Sequence, residues 1–319
     1  MHNQRTRNPT ARKAIKDINK KYALIAIIVA VAIFAVLISS SYLSIKNIPS
    51  QKPSNNTAIR SINFNHIAEQ VYPRNGFVLP VKWDNSARIL VNNGALNLSF
   101  INYLLNASGQ PLTNYELKIL NGTEAGNLTI NSSTGLFTLY VLWAIGINNK
   151  NPIINNGPLM NYGGNPYQLA STGGYGPLGK LQLGNLTILQ FNNTQQRVIE
   201  SVASNVYRPC CNNPALFPDC NHGAAQLGLI ELMVSQGSNE TKIYNALKEF
   251  SSFYFPSQYI EMAVFFNVTQ GKAWNQVDAK QILGYNNSSA SGYYAIHQYL
   301  LSSNTLRGTS GNIGSSCGV

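Results

Sequence analysis

The sequence predicts a mainly α-helical domain with long irregular loops, displayed outside the membrane behind a single N-terminal transmembrane helix. Three observations lead there. An uncharged apolar run lies near the N-terminus, apolar residues recur at helical spacing through most of the remaining chain, and one Gly-, Asn- and Pro-rich stretch interrupts that spacing.

The apolar run is Tyr22–Ile45, YALIAIIVAVAIFAVLISSSYLSI. At a rise of about 1.5 Å per residue it reaches across a hydrocarbon core of roughly 30 Å. Seven basic residues precede it (Arg5, Arg7, Arg12, Lys13, Lys16, Lys20 and Lys21) against one acid, Asp17. That bias keeps residues 1–21 in the cytoplasm as a basic tail and places the rest outside. A cleaved signal peptide with its apolar core at Ala23–Ile38 is the other reading, and it exports the same domain. Residues 46–60, polar and carrying two prolines, read as a stalk. Residues 61–306 read as the exported globular domain and 307–319 as a flexible, cysteine-containing tail.

Charge and composition narrow the partners. The net charge is +11 from 23 basic and 12 acidic residues, but removing the tail's 7 and 1 leaves 16 against 11. The high pI is therefore a topology signal, and no basic patch for nucleic acid emerges. Charged residues make up 11% of the chain, against roughly 25% in ordinary soluble proteins. Asparagine, about 13%, takes their place. A surface of amides keeps its polarity in acid, which suits an acidic exterior; a glycosylated surface fits equally well. Twelve sequons, beginning at Asn55, Asn97 and Asn106 and ending at Asn286 and Asn287, all lie after the apolar run and make glycans an expected modification.

Within the domain, Ile62–Val71, Ile89–Val91 and Leu98–Leu105 carry helical spacing. Thr113-x-x-Glu116 has the form of a capping box before Leu117 and Leu120. Leu136–Ile147 is apolar on every side and predicts a buried helix, too short for a second span. Residues 148–184 read as a long irregular connection without a phosphate-binding fingerprint, and Leu186–Phe191 as a short strand. Helices are expected over Thr194–Tyr207, Cys220–Gln236, Thr241–Phe255, Ser257–Phe266, Val277–Leu283 and Tyr293–Leu301.

The one constellation able to carry chemistry is at 208–223, RPCCNNPALFPDCNHG. Asp219 is the expected N-cap, which would set Cys220 and His222 in the first helical turn, where free N–H groups favour a thiolate. Three readings of the cysteines stand side by side. Cys210, Cys211, Cys220 and His222, with Cys317 as a further ligand, have the donor chemistry for a transition-metal site holding zinc or copper. An even number of cysteines outside the cell also suits disulfides in a structural or interaction protein of the envelope. Thiol–disulfide exchange using Cys317 on a mobile tail is the third. The functional expectation is a cell-surface protein with the Cys/His metal site, its reaction unknown.

Glu200, Glu231 and Glu261 interrupt apolar helical stretches and read as exposed faces or helix ion pairs, while His66 and His297 read as isolated. No GxSxG elbow is present. The segments VLWAIGINNKNPI, STGGYGPLG, YRPCCNN, FPDCNHG and SSCGV together resemble an uncharacterised family of exported, membrane-anchored prokaryotic proteins. The resemblance covers most of residues 75–319. It implies that these regions share one domain and that the tail cysteine matters, and it carries no activity to transfer.

Overall fold

A computed structural model describes residues 62–162 and 175–306. The apolar run at 22–45, the stalk and Cys317 lie outside the described residues. The chain divides after Ser61, and the unit beginning at Ile62 carries the fold. It is mainly helical. Among the described residues no helix is long and apolar enough to cross a membrane.

The centre of the domain is a pair of buried helices, α5 (Gly135–Asn148) and α10 (Asn221–Ser235). Both are apolar nearly all round, so each is covered on every side. They approach closely because two glycines face each other's backbone. A Cβ on Gly146 would collide with the Ala224 carbonyl, and one on Gly228 would collide with the Leu142 carbonyl. No side chain fits between these helices at those levels.

Smaller elements wrap the pair. On one side lie α2 (Ser86–Asn92), α3 (Leu98–Ala107) and α4 (Asn114–Asn121), whereas α1 (Phe64–Val71) packs against the helices at 240–270 on the other. The capping box at Thr113 and Glu116 forms as expected, with Thr113 N donating to Glu116 Oε2 at 2.7 Å. On the other side lie α9 (Asn193–Ser204), α11 (Glu240–Tyr254), α12 (Pro256–Gln270), α13 (Ala279–Leu283), α14 (Tyr285–Ser288) and α15 (Ala290–Ser302). The predicted helix at Val277–Leu283 is shorter than expected, because Asp278 caps α13 by accepting from Lys280 N.

Two strands were not legible from the sequence: β1 (Phe77–Lys82) and β2 (Asn127–Ile130) form an antiparallel pair. Its register breaks between Val78 and Lys82, a stretch that contains Pro80, which has no N–H for a ladder. The strand expected at Leu186–Phe191 is absent. Leu186 makes one isolated bridge to Asn149, and the backbone of Ile188 and Leu189 instead donates to the Asn149 side chain.

The asparagines acquire a local explanation. Asn63, Asn97, Asn151, Asn192 and Asn239 are N-caps whose side-chain oxygens accept helix N–H groups. The irregular connection after α5 breaks into α6 (Pro152–Asn155), α7 (Pro158–Asn161) and α8 (Tyr175–Leu178).

Candidate functional site: three thiols around a buried arginine

Residues 205–220 form the rigid approach to α10. Arg208 is fully buried at its centre. Its Nε donates to Cys220 Sγ at 3.1 Å, Nη1 to the Asn213 carbonyl at 3.0 Å, and Nη2 to Asp219 Oδ1 at 2.5 Å. Nη2 also reaches the Phe217 carbonyl at 3.5 Å. Asn213 Nδ2 completes the clamp on Asp219 Oδ2 at 2.8 Å. One guanidinium thus gathers the loop that holds the cysteines. Gly223 leaves room for it, since a Cβ there would sit 2.5 Å from Arg208 Cζ.

This arrangement corrects the expected cap. Asp219 is consumed by Arg208 and Asn213, so Cys220 itself is the N-cap of α10. Its sulfur accepts from Gly223 N at 3.4 Å. Cys210, Cys211 and Cys220 are free thiols, each partly exposed. Cys210 is near enough to both other thiols for their ionisations to influence one another. Cys211 is tied to the body of the domain, its carbonyl accepting from Ala290 N at 2.9 Å at the start of α15.

The electrostatics separate the three sulfurs. Cys210 keeps its proton, pushed well up first by the interaction with the Cys211 thiol, then by that with Cys220 and by burial. Cys220 is lowered to about 6. The largest cause is the hydrogen bond from Cys210. Burial opposes it, and the Arg208 charge, Gly223 N–H and the Arg208 hydrogen bond reinforce it. Cys211 is also lowered, first by Cys210. One thiol proton cannot serve two acceptors at once, and two adjacent thiolates repel. Cys220, with the guanidinium and the helix N-terminus on it, takes the negative charge. Burial works against the charge on Arg208, but the sulfurs and Asp219 hold it firmly protonated.

His222 is close in sequence but its ring turns into an aromatic cluster. Ring centroids lie 4.8 Å from Phe255 and 5.6 Å from Tyr254. Burial, then the Arg208 charge, lowers it to about 4, so it is neutral at physiological pH. Among the described residues, no three His, Cys, Asp or Glu side chains are gathered so as to hold a metal ion. Cys210, Cys211 and Cys220 influence one another's ionisation without forming such a ligand set, and His222 beside them faces elsewhere.

Sequence reasoning did not recognise Arg208 and Asp219 as the organising pair. A signal existed: between Ser201 and Ile230 they are the only charged residues.

Two of the three glutamates also need correction. Glu231 and Glu261 are buried, not on exposed faces. Glu231 accepts from Asn151 Nδ2 at 2.7 Å and Asn149 Nδ2 at 3.2 Å. Glu261 accepts from His297 Nδ1 at 2.8 Å and from the Tyr293 hydroxyl at 3.1 Å, so His297 is not isolated. Glu200 is half-buried and accepts from Gln196 Nε2 at 2.9 Å.

No protein-family model, curated protein or solved structure matches the chain. The chemistry of the site has to be read from its own geometry.

Proposed function

We propose that this chain is a membrane-anchored, extracytoplasmic thiol–disulfide exchange protein in which Cys220 is the nucleophile and Cys210 the resolving thiol. The observation that carries the reading is the pairing of Cys220 Sγ with Arg208 Nε at 3.1 Å on the N-cap of a buried helix. A cation and free N–H groups stabilise a thiolate, and the thiolate is the form that attacks a disulfide. The apolar run at 22–45 and its basic flank support the anchor and the orientation.

The exchange balances with an external disulfide as the electron acceptor. The Cys220 thiolate attacks one sulfur of R–S–S–R′, forming a Cys220–S–S–R mixed disulfide and expelling R′–S⁻. Cys210 then attacks the Cys220 sulfur, its proton passing to the departing R–S⁻. The products are a Cys210–Cys220 disulfide and R–SH. Two electrons move from the protein dithiol to the substrate, and the reverse sequence oxidises a substrate dithiol.

A second reading is a zinc or copper ion on Cys210, Cys211 and Cys220, and it draws on the same gathering of sulfurs. Two features disfavour it. The Cys220 sulfur already faces a guanidinium, which repels a cation, and the expected fourth ligand, His222, is packed against Tyr254 and Phe255. A structural disulfide is the remaining alternative for the same sulfurs.

Incubating the reduced full chain with a small symmetrical disulfide, then mapping disulfides by mass spectrometry and assaying metal, tests the proposal. A Cys210–Cys220 disulfide, lost in Cys220→Ser and trapped as the mixed disulfide in Cys210→Ser, is expected. A stoichiometric metal ion that blocks all three thiols, or alkylation at free-cysteine rates, overturns it.

A further inference from the structure

Thiol–disulfide exchange runs in either direction, and the contacts on Cys220 favour one of them. Arg208 Nε donates to the Cys220 sulfur at 3.1 Å and Gly223 N donates to it at 3.4 Å. Both donors bind a thiolate more strongly than a neutral sulfur, because a charged acceptor strengthens a hydrogen bond. A disulfide sulfur carries no charge. Closing a Cys210–Cys220 bridge therefore weakens both contacts.

Arg208 has no other acceptor to turn to. It is fully buried, and its remaining nitrogens already hold the Asn213 carbonyl, the Phe217 carbonyl and Asp219. Its loop is tied down as well. The Cys211 carbonyl accepts from Ala290 N at 2.9 Å and Asn212 Oδ1 accepts from Ser291 N at 2.9 Å, both at the start of α15. Loss of the anionic sulfur thus leaves a buried N–H poorly satisfied. The favourable contacts belong to the reduced state. A couple whose reduced form is stabilised gives up its disulfide readily and acts as an oxidant.

We infer that the protein is a disulfide donor, whose Cys210–Cys220 disulfide oxidises substrates carrying two neighbouring thiols. The inference rests on the thiol–disulfide reading above and gives that site its direction and substrate class. One substrate thiolate attacks the Cys220 sulfur and expels Cys210, which takes up a proton. The second substrate thiolate attacks the substrate sulfur of this mixed disulfide and expels Cys220 as the thiolate. The substrate gains a disulfide, the protein gains two electrons, and one of the substrate's two protons passes to solvent. A low-molecular-weight disulfide in excess restores the protein's disulfide and leaves as two thiols.

The contacts also give the equilibrium a pH dependence. Around the sulfurs stand Arg208, Asp219, Cys210 and Cys211 from the loop, His222 from α10 and Tyr259 from α12. Arg208 stays charged with Asp219 as its partner, His222 is neutral above about 4, and Tyr259 is pushed up to about 12. The thiols set the response between pH 5 and pH 7, where Cys220 passes through its midpoint of about 6.

The test equilibrates the full chain with reduced and oxidised glutathione, quenches with acid and measures the Cys210–Cys220 disulfide by mass spectrometry. At pH 7 the couple should be more oxidising than glutathione. Relative to glutathione, its equilibrium constant for reduction should fall about tenfold from pH 7 to pH 5, or about 30 mV, as the thiolate is protonated. Arg208→Met should shift the couple toward the reducing side and flatten this response; where that variant fails to fold, the response of the unaltered chain decides. A couple more reducing than glutathione, or one with the same constant at pH 5 and pH 7, overturns the inference. If no Cys210–Cys220 disulfide forms at any glutathione ratio, the thiol–disulfide reading itself has failed.

Discussion

Helix α10 carries two acidic groups, one at its N-cap and one in its body, in opposite states. At its N-terminus, the Cys220 sulfur is pulled down to about 6. Three turns along, the Glu231 carboxyl is pushed well above the usual carboxylate range. Both are removed from bulk water to a large degree. The difference lies in what replaces the water. Cys220 has a guanidinium, a thiol donor and a helix N-terminal N–H, and part of its residue reaches solvent. Glu231 is wholly buried, with only two neutral amides in contact, and burial outweighs their hydrogen bonds. A thiol donor, a cation and a helix N-terminus together make a reactive anion, whereas amides alone make a structural carboxyl.

What Glu231 does is hold the irregular connection onto the core. Asn149 Oδ1 accepts from Ile188 N and Leu189 N, and Asn151 Oδ1 accepts from Ile153 N. Their amide nitrogens are thereby fixed toward Glu231. The connection, whose own elements are short helical turns, is organised here by three side chains in place of a ladder.

The largest effect expected is at Arg208. Replacing it with Met leaves Asp219 without its buried cation, and the domain should lose roughly 3 kcal/mol in denaturant unfolding. The same variant should raise the Cys220 titration toward the ordinary thiol value. Arg208→Lys should restore part of the charge but not the fork that reaches four partners.

Next in size is Glu231→Ala, expected to cost about 2 kcal/mol because two fixed amide donors lose their acceptor. Its pH signature has a definite sign. A carboxyl whose folded pKa is raised binds its proton more tightly in the native state. The stabilisation is fully present below the unfolded value near 4.3 and is lost as pH rises through the higher folded value. The wild-type domain should therefore lose stability between mild acid and neutrality through this residue, and Glu231→Gln should flatten that part of the profile. A profile that is identical in wild type and Glu231→Gln would show the carboxyl to be ionised in the fold.

The smallest effect is at the pair between α12 and α15. The His297 side chain is 31% exposed and only its partner Glu261 is buried, so solvent partly screens their contact. His297→Ala should change stability by no more than about 1 kcal/mol. A loss several times larger would mean that the buried Glu261 side chain depends on the imidazole as a hydrogen-bond partner.

Much of the helical frame was legible. The all-apolar segment at 136–147 is the buried helix α5, and Thr113 with Glu116 forms its capping box, because both rest on local spacing. What escaped depends on partners distant in sequence. The β1–β2 pair joins residues some fifty positions apart, and Leu186–Phe191 has strand-like alternation but bonds to the Asn149 side chain instead of a neighbouring strand. The cysteines were legible as a cluster, but not which sulfur would ionise. That was decided by Arg208 choosing Asp219 and so vacating the cap position for Cys220.

The most direct test is a pH titration of thiolate absorbance near 240 nm in the reduced full chain. One thiol should ionise with a midpoint about 6, disappear in Cys220→Ser, and move upward in Arg208→Met. All four thiols titrating near the ordinary value of about 8.5, or a low midpoint that persists in Cys220→Ser, would contradict the assignment of Cys220 as the reactive sulfur.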